Sequence, residues 1–136
     1  MRATVYNVAR GVYSRAMSAP RSRNPHFGTQ VTAREAAVLE AERRRRGERY
    51  LSTVLDEALV ELLTGRDFVA DPLPLPSLRG ERLVSKGYHL RPETLGLVRD
   101  VMAAHAYEAQ QIVRAAIHDL ERRTAAAGQG PTQTGW

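Results

Sequence analysis

Two short stretches of the chain, Gly28-Thr29-Gln30-Val31-Thr32 and Gly87-Tyr88-His89-Leu90-Arg91, alternate residue types in a way that can do chemistry. A strand sends alternate side chains to opposite faces. With Thr29 and Val31 turned toward a core, Gly28, Gln30 and Thr32 share the other side. With Tyr88 and Leu90 turned inward, Gly87, His89 and Arg91 do the same. That chemistry is hydrogen bonding rather than bond breaking. A glutamine amide and a guanidinium each offer two-pronged contacts, and an imidazole can donate. Nothing comparable points to catalysis. His26, His89, His105 and His118 form no His-Glu-x-x-His pattern, and no phosphate-binding loop is present. His105 with Glu108, and His118 with Asp119, lack the third group a catalytic or metal constellation needs. Cysteine is absent, which removes disulfides, cysteine-based zinc sites and thiol nucleophiles. The expectation is a protein that is not an enzyme and uses no cofactor or metal.

The elements that position these residues follow from the apolar pattern. Residues 1–25 hold Arg2, Arg10, Arg15, Arg21 and Arg23 with no acidic residue, and read as a basic arm. Val5, Val8 and Val12 have helical spacing before Pro20. Residues 26–65 form a first block. A strand through Phe27–Val31 meets Thr32, which suits an N-cap with Glu35 three places on. A helix to about Arg46 should stop at Gly47, and a second should run from about Tyr50 to Leu63 before Thr64-Gly65. Residues 66–83 form a linker in which Pro72, Pro74 and Pro76 forbid helix. Residues 84–123 form a second block: a strand from Val84 to Leu90, a helix entered at Pro92, and another carrying Ala109, Ile112, Val113, Ala116, Ile117 and Leu120 on one face. Residues 124–136 are rich in Ala, Gly, Gln and Thr, and are expected to be disordered.

Composition narrows the partners. The chain has 136 residues, a formal net charge of +5 and a sequence pI near 10.2. Every basic residue except Lys86 is arginine. Biased codon usage accounts for that ratio; the sign of the charge is the informative fact, because it favours a polyanion. No apolar run approaches the ~18 residues of a membrane span, and the N-terminus lacks an uninterrupted apolar segment of the signal-peptide kind. The expected location is cytoplasmic, on nucleoid or plasmid DNA.

The two blocks repeat one pattern. Moved by 58 residues, Leu51, Val54, Leu55, Ala58, Leu59 and Leu62 fall on the apolar face from Ala109 to Leu120. Moved by 59, Val31, Ala36 and Leu39 fall on Leu90, Leu95 and Val98. The change of offset places one extra residue near the first interhelical turn. A block of about 40 residues is near the size below which a lone core needs help, and a lone strand leaves its backbone groups unpaired. Pairing the strands and sharing one core solves both problems.

Tyr88-His89-Leu90-Arg91 followed by Leu95-Gly96-Leu97-Val98-Arg99-Asp100-Val101 resembles the strand and first helix of the ribbon–helix–helix family, which includes the Arc and MetJ repressors. Ile112-Val113-Arg114-Ala115-Ala116-Ile117 and Val54-Leu55-Asp56-Glu57-Ala58-Leu59 resemble the start of the family's second helix. The resemblance covers about 75 residues and leaves out both tails and the linker. It implies a mainly α fold with a short antiparallel β-ribbon. The arrangement is similar to that of TraY-type proteins of conjugative plasmids, with two units forming a pseudo-dimer within one chain. The first unit departs from the pattern, with Glu42 and Arg43 standing where the second has Val101 and Met102.

The resemblance implies that the ribbon enters the major groove of double-stranded DNA, with Gly28, Gln30, Thr32, Gly87, His89 and Arg91 against the bases. Arginine suits guanine and glutamine suits adenine, each contact discriminating by ~1–3 kcal/mol. Ser52, Thr53, Gln110 and Gln111, at the starts of the second helices, are expected on phosphate, as is Lys86, whose long stem can snorkel outward. Arg43–Arg46 should be mainly a solvated helix end. Three roles stay open: a repressor autoregulating a small operon, a relaxosome or partition accessory of a mobile element, and an antitoxin-like module holding a protein through its tails. Self-association on DNA also stays open.

Overall fold

A computed structural model describes residues 24–134 of the chain, with side chains as far as 127. The expected basic arm before Asn24, with Val5, Val8 and Val12, lies outside the described residues, as does Trp136. The element order is β1 (His26–Thr32), α1 (Ala33–Arg46), α2 (Leu51–Leu63), β2 (Leu83–His89), α3 (Pro92–His105) and α4 (Ala109–Thr134). The described residues are mainly helical, with one small antiparallel sheet of two strands.

Each strand is followed by a helix start written into the sequence. Thr32 is extended, and its hydroxyl accepts the Glu35 N–H at 3.1 Å while Glu35 accepts the Thr32 N–H at 2.9 Å. This reciprocal cap satisfies two backbone donors that the first turn cannot, and its hydroxyl contributes about 1 kcal/mol. Gly47 ends α1 with φ 69, its N–H on the carbonyls of Arg43 and Arg44. At α3, Pro92 takes the first turn, and Ala106 closes the helix with φ 59. Thr32 and Arg91, the two N-caps, are 59 positions apart, as are Gly47 and Ala106. The starts of α2 and α4 differ by 58. The extra residue of the first half therefore lies between Gly47 and the Tyr50 N-cap, in the interhelical turn as expected.

The apolar faces meet in one core. Val54, Leu55 and Leu59 of α2 pack with Ile112, Val113 and Ile117 of α4, all fully buried. Val31 from β1 and Leu90 after β2 close it from the sheet side. Each such side chain contributes roughly 1.5–3 kcal/mol on burial. The linker keeps irregular backbone and is tied down at three points. Asp67 caps a turn through the N–H groups of Val69 and Ala70. The Tyr107 hydroxyl accepts the N–H of buried Leu73 at 3.0 Å. Arg79 and Gly80, both at positive φ, turn the chain into β2.

Two features differ from the sequence-based expectation. α4 continues to Thr134 where an irregular tail is expected, and Ala125–Ala127, strong helix formers, carry it past the core. Glu42, which departs from the apolar pattern of the repeat, is not turned to solvent. It is buried at the place of Val101, with its carboxylate turned back to Arg45 and Arg46 and the Thr124 hydroxyl at 3.5 Å. No helix among the described residues is long and apolar enough to cross a membrane.

Ala106 sits in a left-handed conformation that costs a side-chain-bearing residue roughly 1–2 kcal/mol. Ala106→Gly removes that strain and adds some unfolded-state entropy, so urea unfolding should show a net gain of about 0.5–1 kcal/mol. A loss of stability would contradict the turn geometry. Acid should act in the other direction. Arg45, against the cost of burial, and then Arg46 hold the Glu42 carboxyl down to about 2 from its usual 4.5. A depressed carboxylate stabilises above its unfolded pKa, and this stabilisation is lost as pH falls from about 4.5 toward 2. Glu42→Gln should flatten that loss by on the order of 1 kcal/mol, discounted because Arg45 is solvent-screened.

Candidate nucleic-acid interface

The ladder between β1 and β2 sets the geometry of the candidate site. Gly28 lies opposite Gly87, with His26 opposite His89 on one side and Gln30 opposite Ser85 on the other. These six residues share the face turned away from the core. Thr29, Val31 and Tyr88 are buried on the inner face. The outer face carries a shallow depression of hydrogen-bonding groups, lined by His26, the two glycines, Gln30 and Ser85, with Lys86 at its edge.

The glycine pair is not symmetric in its demands. The His26 ring lies across the strand, so a Cβ on Gly87 would collide with His26 Nε2, whereas one on Gly28 would stand 3.7 Å from His26 Cε1. His26 meets the His89 ring edge-on, with centroids 5.5 Å apart. His89 Nδ1 is 3.2 Å from the Asn24 carbonyl, an acceptor, so this nitrogen carries the proton and donates.

Of the residues expected to read bases, Gly28, Gln30, Gly87 and His89 stand on the outer face; Thr32 and Arg91 do not. Thr32 is 2% exposed and spends its hydroxyl on the α1 cap. Arg91, half-exposed, holds Asp56 through Nε at 2.9 Å and Nη2 at 2.6 Å. Both are N-cap residues, and the chain leaves the ribbon there. In their stead the register brings His26 and Ser85 onto the face. The signal available in the sequence was the aligned glycines: once Gly28 faces Gly87, the other pairs follow.

The expected phosphate contacts divide in the same way. Ser52 is buried, and its hydroxyl accepts the His89 N–H at 2.9 Å, closing the end of β2. Gln111 accepts the Glu108 N–H at 2.8 Å and so caps α4. Gln110 donates to Glu108 at 3.2 Å, and its Oε1 is buried without a hydrogen-bond partner among the described residues. Thr53 is half-buried in the first turn of α2, its N–H on the Tyr50 carbonyl at 3.2 Å. Lys86, opposite Thr29, has the parity of Tyr88 yet is exposed on the rim.

Most arginines of the described residues face carboxylates. Arg43 and Arg44 hold Glu40 down to about 2. Arg45 and Arg46 hold Glu42, and Arg46 also reaches Glu57. The whole formal charge of +5 is supplied by Arg2, Arg10, Arg15, Arg21 and Arg23; residues 24–136 carry equal numbers of basic and acidic side chains. Among the described residues, no group of three or more His, Asp or Glu could hold a metal ion.

The corrected role of Ser52 has a measurable consequence. Ser52→Ala leaves the His89 N–H without its acceptor in a partly buried place, which costs about 1–2 kcal/mol of stability. Chemical unfolding measures this directly; an unchanged midpoint would remove Ser52 from the end of the ribbon. Compared with known protein families, curated proteins and solved structures, the chain finds no match.

Proposed function

We propose that the protein binds double-stranded DNA through the outer face of its β1–β2 ribbon, laid into the major groove. The observation that carries this reading is the face itself: a paired, two-stranded ribbon with glycines at its centre and amide, hydroxyl and imidazole groups on either side. A two-stranded ribbon fits the major groove, where base edges present hydrogen-bond donors and acceptors. In this reading the two strand–helix–helix halves are ribbon–helix–helix units forming a pseudo-dimer within one chain. The offsets of 59 for strand and first helix and 58 for the second helix support that equivalence. The protein acts as a binding module, repressing transcription of a small operon. A role as an accessory of plasmid transfer or partition is the second reading, favoured by the unlike strands, which suit a non-palindromic site.

Charge in this proposal divides between two regions. The ribbon reads, and the five arginines of residues 1–23 supply the attraction to phosphate, with Lys86 on the rim as an additional contact. Affinity for any duplex should fall with salt by about 0.9 log unit per log unit of salt for each phosphate neutralised. Replacing Arg2, Arg10, Arg15, Arg21 and Arg23 with Gln should flatten that slope in a salt titration of duplex affinity. Gln30→Ala and His89→Ala should instead reduce the preference for cognate over random duplex by roughly 10-fold each, from ~1–3 kcal/mol per base contact. Arg91→Ala belongs to stability, since it strips buried Asp56 of its guanidinium. A folded protein that binds no duplex at low salt would falsify the proposal.

A further inference from the structure

The offsets place Asp56 of α2 and Arg114 of α4 at equivalent positions. They do the same for Thr32 and Glu35, at the start of α1, and Arg91 and Thr94, at the start of α3. Each second helix reaches across to the start of the other half's first helix. On one side, buried Asp56 accepts the Arg91 backbone N–H at 2.9 Å, the Arg91 guanidinium and the Thr94 hydroxyl at 2.8 Å. On the other, buried Arg114 directs Nε to both Glu35 oxygens at 3.0 Å and Nη2 to the Ser77 carbonyl at 3.3 Å. Glu35 also accepts the Thr32 N–H at 2.9 Å and meets His118 Nε2 at 2.8 Å.

The two contacts are chemically the same. In each, a carboxylate accepts the N–H of an N-cap residue and is gripped by a guanidinium. What differs is which half supplies which group. For α1, the carboxylate is its own Glu35 and the guanidinium comes from the opposite helix. For α3, the guanidinium is its own Arg91 and the carboxylate comes from the opposite helix; Thr94, at the position of Glu35, is too short to close the cap itself. Burial of Glu35 alone would raise its pKa, but Thr32, His118 and Arg114 outweigh it and keep the carboxyl below its usual value.

We propose that these charge-exchanged contacts make the pairing surface of each half accept the unlike half and reject a second copy of itself. Paired with itself, the first half would set Asp56 against Glu35, two carboxylates competing for one N–H with no cation. The second half would set Arg114 against Arg91 and leave the α3 N-cap without its acceptor. A buried charge without its partner is far costlier than an exposed one, so both like pairings are disfavoured. The nearest unlike half is on the same chain, across the linker of residues 66–82, at high effective concentration. The inference rests on the equivalence of the two halves and not on DNA binding, so duplex affinity is not its readout.

The test is a charge exchange in the full chain, Asp56→Arg with Arg114→Asp. Folded on itself, this chain meets two like-charge contacts; with like halves of two chains paired, every contact is between opposite charges. The unsubstituted protein should sediment at its monomer mass of 15.1 kDa at micromolar concentration, and the exchanged chain at about twice that. An exchanged chain that stays monomeric with an unchanged unfolding midpoint overturns the proposal. Should the exchanged chain not fold, a cycle of Asp56→Arg, Arg91→Asp and their combination decides, because the pair restores opposite charges within one chain. Asp56→Arg should lower the folded-to-unfolded ratio at least tenfold less in the Arg91→Asp background than alone. Equal losses in both backgrounds overturn the proposal.

Discussion

Everything in this molecule depends on the hydrogen-bonded ladder between β1 and β2. Among the described residues each strand has one neighbour and no other, so neither half satisfies its own strand backbone. The ladder brings Val31 and Leu90 over the helices, and α2 and α4 then bury against each other beneath it. The same pairing aligns the glycines and decides which side chains face outward. Fold and candidate site are thus two sides of one register. A slip of one residue would send the inner set to solvent and the outer set into the core.

The electrostatics follow a different logic from the total charge. Arginine in the described residues is largely spent on carboxylates, at helix ends and across the core boundary. Exposed pairs of this kind contribute little stability individually. Asp56 and Glu35 are different because each is buried and each also caps a helix start. Their loss would leave a backbone donor without its acceptor and a guanidinium without its carboxylate. The basic and acidic side chains of residues 24–136 are equal in number, so the excess of positive charge that gives the chain its high pI is in the composition of residues 1–23.

Local signals in the sequence were legible where the physics is local. Thr32 and Glu35 announce a cap, Gly47 announces a stop, and the apolar spacing from Leu51 to Leu62 announces α2, because each depends on residues within a turn or two. The inward parity of Thr29, Val31, Tyr88 and Leu90 was equally readable. Partners far along the chain were not. Arg91 looks like a free cation until Asp56, 35 residues earlier, is found beneath it. Ser52 looks like a helix-start hydroxyl available to a ligand until His89, 37 residues later, takes it. His26 was overlooked because it lies beyond the expected strand Phe27–Val31, and no local pattern states where pairing ends; Ser85, inside its expected strand at the parity of Gly87, gains its place on the face from its pairing with Gln30.

The pairing of unlike halves also gives the outer face a direction. A twofold through the glycine pair would carry His26 onto Ser85 and Gln30 onto His89. Neither match holds. One end of the face is a pair of imidazoles in edge-on contact, and the other is an amide beside a hydroxyl. The two ends thus differ in hydrogen-bonding chemistry as well as in shape. A homodimeric ribbon cannot have this property, since symmetry forces its ends to be identical. A single chain can, provided its halves do not exchange roles, and the opposite charges at Asp56 and Arg114 bear on that condition from within the core. The asymmetry of the surface is then matched by an asymmetry of charge at the buried Asp56 and Arg114.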